Sequence, residues 1–115
     1  PVLCAAAANA EGNTIMRGIN ELRVKESDRI AVMVKGLKAS GVNVIEHDDG
    51  MTVSKSEVSG GTLVETHLDH RIAMSFLILG LNSKESISID DGRVIETSFP
   101  GFKDLMNSLG AQICS

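Results

Sequence analysis

The sequence predicts an α/β fold: a single partial domain over residues 1–115, with helices inside and sheets covering them. Three observations carry this. Helical and strand-like hydrophobic periods alternate along the chain. The helical stretch from Ile72 to Leu81 is apolar nearly all round, as a helix buried on every side should be. Two αβ units also follow each other. They are marked by Arg29-Ile30-Ala31 and Arg71-Ile72-Ala73, and more loosely by Asp48-Asp49-Gly50 and Asp90-Asp91-Gly92.

The elements follow in order. The Ala-rich run from Pro1 to Ala10 has high helical propensity, with Gly12 as its stop. Asn13 to Ile19 reads as a short strand, and Glu21 to Val24 as a second strand or a loop. From Ser27, the spacing of Ile30, Met33, Val34 and Leu37 predicts a helix, capped by Ser27 or Asp28 and ended by Gly41. Val42 to Lys55 forms a hairpin around Asp49-Gly50. Ser56 to Glu65 is a Gly/Ser loop holding a short strand. Thr66 and Asp69 stand in capping-box-like spacing before the apolar helix. Ser86 to Ile89 is a strand, Thr97 to Gly110 a helix entered through Pro100, and Ala111 to Cys114 a closing strand.

At 115 residues the chain is one domain's worth, large enough to bury about two thirds of its unfolded surface. With three Phe and no Tyr or Trp, its core must come from Ala, Val, Ile, Leu and Met. The formal charge of −4 argues against a general nucleic-acid or anionic-membrane surface. No apolar run is long enough to span a bilayer. Cys4 and Cys114 lie far apart in apolar surroundings and read as buried free thiols of a reducing, cytoplasmic compartment. The start at Pro1, running straight into apolar residues, reads as a piece of a longer protein.

Two charged clusters stand out, Arg23, Lys25, Glu26, Asp28 and Arg29, and then His67, Asp69, His70 and Arg71. Each lies at a predicted helix start, where free amides and the helix dipole favour anions. Each also brings an Arg, whose planar fork holds a carboxylate or phosphate in bidentate fashion. A Glu among cations, partly buried, can carry protons. The plainer reading is of caps and surface ion pairs, each contributing little. His67 and His70 lack a convincing third ligand, so no metal is expected.

Three stretches in order, Leu22-Arg23-Val24-Lys25-Glu26-Ser27-Asp28-Arg29, Leu68-Asp69-His70-Arg71-Ile72-Ala73-Met74 and Thr97-Ser98-Phe99-Pro100-Gly101-Phe102, resemble the C-terminal portion of the 5-enolpyruvylshikimate-3-phosphate synthase family. The Ser after Glu26 and the Leu before Asp69 resemble its glyphosate-tolerant bacterial group. The resemblance implies an inside-out α/β barrel domain built from βαβαββ units. The chain would hold the end of one unit, about 1–65, and most of the next, about 66–115. It also implies transfer of the carboxyvinyl group of phosphoenolpyruvate to the 5-hydroxyl of shikimate 3-phosphate in a cytoplasmic, monomeric enzyme that needs no cofactor.

On this resemblance Glu26, Lys25 and His70 are catalytic. Lys25, Arg29 and Arg71 bind phosphoenolpyruvate, and Asp28 and Asp69 orient them. Thr97 stands where the family commonly has a Lys. A further catalytic Asp, and most contacts to shikimate 3-phosphate, would lie outside this chain, which alone should be inert. Two rivals remain: an enzyme like UDP-N-acetylglucosamine carboxyvinyltransferase, and a non-catalytic binding or assembly module.

Overall fold

Ile30, Met33, Val34 and Leu37 recur at helical spacing, and all four are buried on one side of a helix that caps itself through Asp28. That helix anchors the chain. A computed structural model describes residues 1–25 and 27–113. Glu26 and Cys114 therefore lie outside the described residues. The order is α1 (Val2–Ala7), β1 (Asn13–Met16), a 3-10 helix (Asn20–Val24), α2 (Arg29–Ala39), β2 (Val44–His47), β3 (Gly50–Ser54), β4 (Thr62–Val64), α3 (His70–Gly80), β5 (Ile87–Ile89), α4 (Arg93–Ser98) and α5 (Phe102–Ser108).

The strands form two small sheets. One is antiparallel in the order β1-β3-β2, and the other pairs β4 with β5 in parallel. In the central strand β3, Met51 and Val53 point into the core, at 1% and 0% exposure. The opposite faces stay open, with Ile15, Ile45 and Leu63 exposed. The helices lie on the buried side. From Ile72 to Gly80 no residue of α3 is exposed, as its all-round apolar character predicts.

Helices α2 and α3 approach closely because Gly36 has no side chain. A Cβ there would meet the end of the Phe76 ring, with Phe76 Cε2 at 2.8 Å. Phe76 is fully buried and cannot swing aside freely. Gly36→Ala is therefore expected to lower stability by about 1–3 kcal/mol despite its better helix propensity, read as a drop in the urea midpoint.

Three expectations need correction. Glu21 to Val24 is neither strand nor plain loop but part of the 3-10 helix. It is tightened by Leu22 N–H donating to Ile19 O at 3.0 Å, and by Arg23, whose guanidinium folds back onto the β2–β3 hairpin. The predicted helix over 97–110 is two helices, α4 and α5, broken at Phe99-Pro100-Gly101. A residue before Pro is driven out of the helical region, and Phe99 has φ −140°, while Gly101 adopts a left-handed φ of 79°. Residues 111–113 form no strand. The hairpin is present, but its two loop residues are Asp48 and Asp49, because His47 pairs with Gly50. Alone of the buried thiols expected, Cys4 lies in the described part; it is free and sits 3.5 Å from Met51 Sδ.

Candidate active site

The two charged clusters meet through the starts of α2 and α3. Asp28 is the N-cap of α2, and its Oδ1 accepts from the Ala31 amide at 3.0 Å. Ser27, the other candidate cap, donates its hydroxyl to Asp69 Oδ2 at 2.7 Å instead. Arg23 ties the same corner down. It donates to both oxygens of Asp28 (3.3 and 3.0 Å), to Glu46 (2.9 Å), and to the carbonyls of His47 (2.7 Å) and Asp48 (2.9 Å). Arg23 thus acts as a strut between the α2 start and the hairpin.

Asp69 is the hub. It has no exposed surface, and its partner Arg29 is only 6% exposed. Asp69 Oδ2 accepts from Arg29 Nε at 2.9 Å, Oδ1 accepts from Arg29 Nη2 at 3.4 Å, and Oδ1 also caps α3 through the Arg71 amide at 3.0 Å. One carboxylate therefore closes the start of α3 and neutralises an Arg at the start of α2. Burial pushes the Asp69 carboxyl up. Hydrogen bonds from Arg29 and Ser27, the Arg29 charge and the Arg71 amide outweigh it, so its pKa falls below the ordinary aspartate value.

A depressed folded pKa sets the sign of the pH dependence. The Asp69 contribution is fully present above the unfolded aspartate pKa of about 3.9 and is lost as pH falls through the lower folded value. Stability should hold from pH 6 to pH 5 and fall below about pH 4. Urea midpoints of wild type and Asp69→Asn measured from pH 6 to pH 2 check this, since the gap between them should narrow on acidification.

The backbone before α3 is strained. His67 and Leu68 both take positive φ, 52° and 56°. Such a conformation costs about 1–3 kcal/mol per non-glycine residue and is retained where the surroundings enforce it. Thr66, expected to cap, accepts the Asp69 amide on its carbonyl at 3.0 Å and closes this turn. The cap itself is Asp69.

The remaining candidates differ in setting. Lys25 and Arg71 are exposed and His70 is half-buried. Among the described residues, the side chains of Lys25 and Arg71 make no ion pair, which leaves two cations facing solvent. The Thr97 hydroxyl donates to Val94 O at 2.8 Å within α4. An open depression of about 540 Å³ beside the α2 start is lined by Ser27, Asp28, Ala31, Val32, Lys35 and His67. Sequence reasoning did not single out Ser27 as a partner of Asp69, or Lys35 as a lining residue. Only the fold brings the α2 start and the turn before α3 together. Chemically, the corner joins exposed cations to a neutralised buried Arg, an arrangement suited to an anion.

The fold and this corner define an α/β chain with an Arg-rich mouth at paired helix starts. Its family follows from likeness to known proteins. The family model for EPSP synthase (3-phosphoshikimate 1-carboxyvinyltransferase) matches residues 1–106. A 3-phosphoshikimate 1-carboxyvinyltransferase of Parvibaculum lavamentivorans is 59% identical over 113 residues, covering 96% of this chain and 25% of that protein. One from Cereibacter sphaeroides is 54% identical, covering 100% and 26%. A solved EPSP synthase from Acinetobacter baumannii superposes with a TM-score of 0.92 at 44% identity, over 97% of this chain and 27% of that one. The chain belongs to the EPSP synthase family, and it spans about a quarter of the length of these relatives.

Proposed function

We propose that this chain forms the phosphoenolpyruvate side of a 3-phosphoshikimate 1-carboxyvinyltransferase site and works within a longer, cytoplasmic and monomeric protein. The single observation that carries the reading is the buried Asp69–Arg29 pair, which joins the two charged motifs into one corner. In this reading Arg71 and Arg29 face the carboxylate of phosphoenolpyruvate, and Lys25 and His70 line its pocket. Asp28 and Asp69 orient the helix starts. No cofactor is required. The stretch of α3 from Ile72 to Gly80, with no exposed residue, and the open outer sheet faces favour the inside-out barrel, with one βαβαββ unit ending near residue 65 and the next beginning near 66.

The chemistry suits these groups. A proton goes to the methylene carbon of phosphoenolpyruvate, and the adjacent carbon becomes electrophilic. The 5-hydroxyl of shikimate 3-phosphate adds there and gives up its own proton to a base outside this chain, leaving a tetrahedral intermediate. Phosphate and a methyl proton then leave, and the enol ether forms. Glu26 is the carboxylate that delivers and reclaims the proton, and the exposed Lys25 stabilises charge developing on the leaving phosphate. The missing parts of the site make the 115-residue chain inert alone. The names of the relatives favour shikimate 3-phosphate over a nucleotide-sugar acceptor.

Arg71→Ala tests the binding half of this reading. A charge-assisted bond contributes about 1.5–3 kcal/mol, so phosphoenolpyruvate affinity in the full-length protein should fall about 10–150-fold. Titration calorimetry in the presence of shikimate 3-phosphate measures it. Unchanged affinity would remove Arg71 from the carboxylate clamp.

A further inference from the structure

The strained turn before α3 is held from outside the helix. Leu68 is 64% exposed, so no burial of its side chain compensates for its left-handed backbone. The enforcing group is Asp90, at the end of β5. Its Oδ1 accepts three donors: the Thr66 hydroxyl at 2.7 Å, the Thr66 amide at 3.1 Å and the Asp91 amide at 2.9 Å. Asp90 is fixed in turn by the parallel sheet, its own amide donating to Val64 O at 3.2 Å. Thr66 is fully buried, so its hydroxyl has no water to turn to.

The connections then run in one direction. Sheet pairing of β4 with β5 fixes Asp90, and Asp90 fixes Thr66. The Thr66 carbonyl closes the left-handed turn onto the Asp69 amide, and Asp69 meets Arg29 and starts α3 at His70 and Arg71. We propose that Asp90, acting through the Thr66 hydroxyl, is a positioning residue that sets Asp69, His70 and Arg71 for the anionic substrate. This rests on the functional reading above. Asp90 touches no substrate in it; it holds the backbone that aims the groups which do.

The test uses the full-length protein with Asp90→Ala, Thr66→Val and Thr66→Ser. A displacement of about 1 Å can cost about 100-fold in an oriented site. Asp90→Ala and Thr66→Val should each raise KM for phosphoenolpyruvate about 10–100-fold. Shikimate 3-phosphate affinity measured without phosphoenolpyruvate should stay within about twofold of wild type, because that site lies mainly elsewhere in the proposed enzyme. Thr66→Ser, which keeps the hydroxyl, should restore most of the loss. The double variant should be no worse than Asp90→Ala alone, since that substitution already removes the hydrogen bond lost in Thr66→Val.

Unchanged KM in Asp90→Ala, equal loss of both substrates, or Thr66→Ser as poor as Thr66→Val would each overturn the proposal. If Asp90→Ala fails to fold, the Thr66 pair decides. A wild type that releases no phosphate would instead overturn the functional reading. The positioning claim would then be read from exchange of the Arg29 Nε–H proton by NMR. Exchange accelerated about tenfold or more in Thr66→Val supports it, and unchanged exchange overturns it.

Discussion

Asp69→Ala is expected to cost about 3–5 kcal/mol of stability. The carboxylate has no exposed surface, and it meets Arg29 through two nitrogens. Removing it withdraws a carboxylate that takes two hydrogen bonds from an Arg that is itself 6% exposed, and weakening the pairing of a buried charge is costly. It also frees the Arg71 amide at the α3 start and leaves the Ser27 hydroxyl without its acceptor. Asp69→Asn should cost less, because an amide oxygen can still accept from Arg71 or Ser27. Urea midpoints at pH 7 measure both. A loss below about 1 kcal/mol for Asp69→Ala would place the pair among surface ion pairs, against its burial.

Glu26→Gln is expected to lower turnover of the full-length protein about 10²–10⁴-fold while leaving phosphoenolpyruvate affinity within a few-fold. The reason is chemical. Gln keeps the size and hydrogen-bonding of Glu but cannot give up or accept the proton that the methylene carbon needs. A mutation that removes proton transfer lowers kcat, whereas one that removes binding raises KM. Steady-state kinetics with both substrates separates the two. Equal losses in turnover and affinity would assign Glu26 to binding alone.

Helices α2 and α3 were legible because hydrophobic period and caps agreed at each. Ile30 and Ile72, matched in the repeated Arg-Ile-Ala, are both fully buried. The choice between Ser27 and Asp28 as cap was not legible, since both side chains can accept a backbone amide. It is decided by Asp69, far off in sequence, which takes the Ser27 hydroxyl. The same carboxylate separates the two arginines. A shared motif implies equal clamps, yet Arg29 is buried against Asp69 while Arg71 is exposed.

The C-terminal stretch was misread for a local reason. Arg93–Ser98 is short and its N-cap is Gly92; the side chain that takes the Arg93 amide, at 2.9 Å, belongs to Asp91, one residue before the usual cap position. Pro100 looked like the opening of one long helix, but it stands in the break between two. The 3-10 helix was hidden because Val24 favours strands, whereas Arg23 holds the segment through partners on the hairpin. The Asp90–Thr66 contact was invisible for the same reason: it exists only once β4 and β5 are paired.

In the proposed function, the corner built on Asp69 serves carboxyvinyl transfer. Phosphate release from phosphoenolpyruvate by the full-length protein, with and without shikimate 3-phosphate, tests it most directly. Release is expected only when shikimate 3-phosphate is present, abolished or sharply reduced by Glu26→Gln. No release from a well-folded protein, whether offered shikimate 3-phosphate or UDP-N-acetylglucosamine, would contradict it and leave the charged corner a binding or structural role.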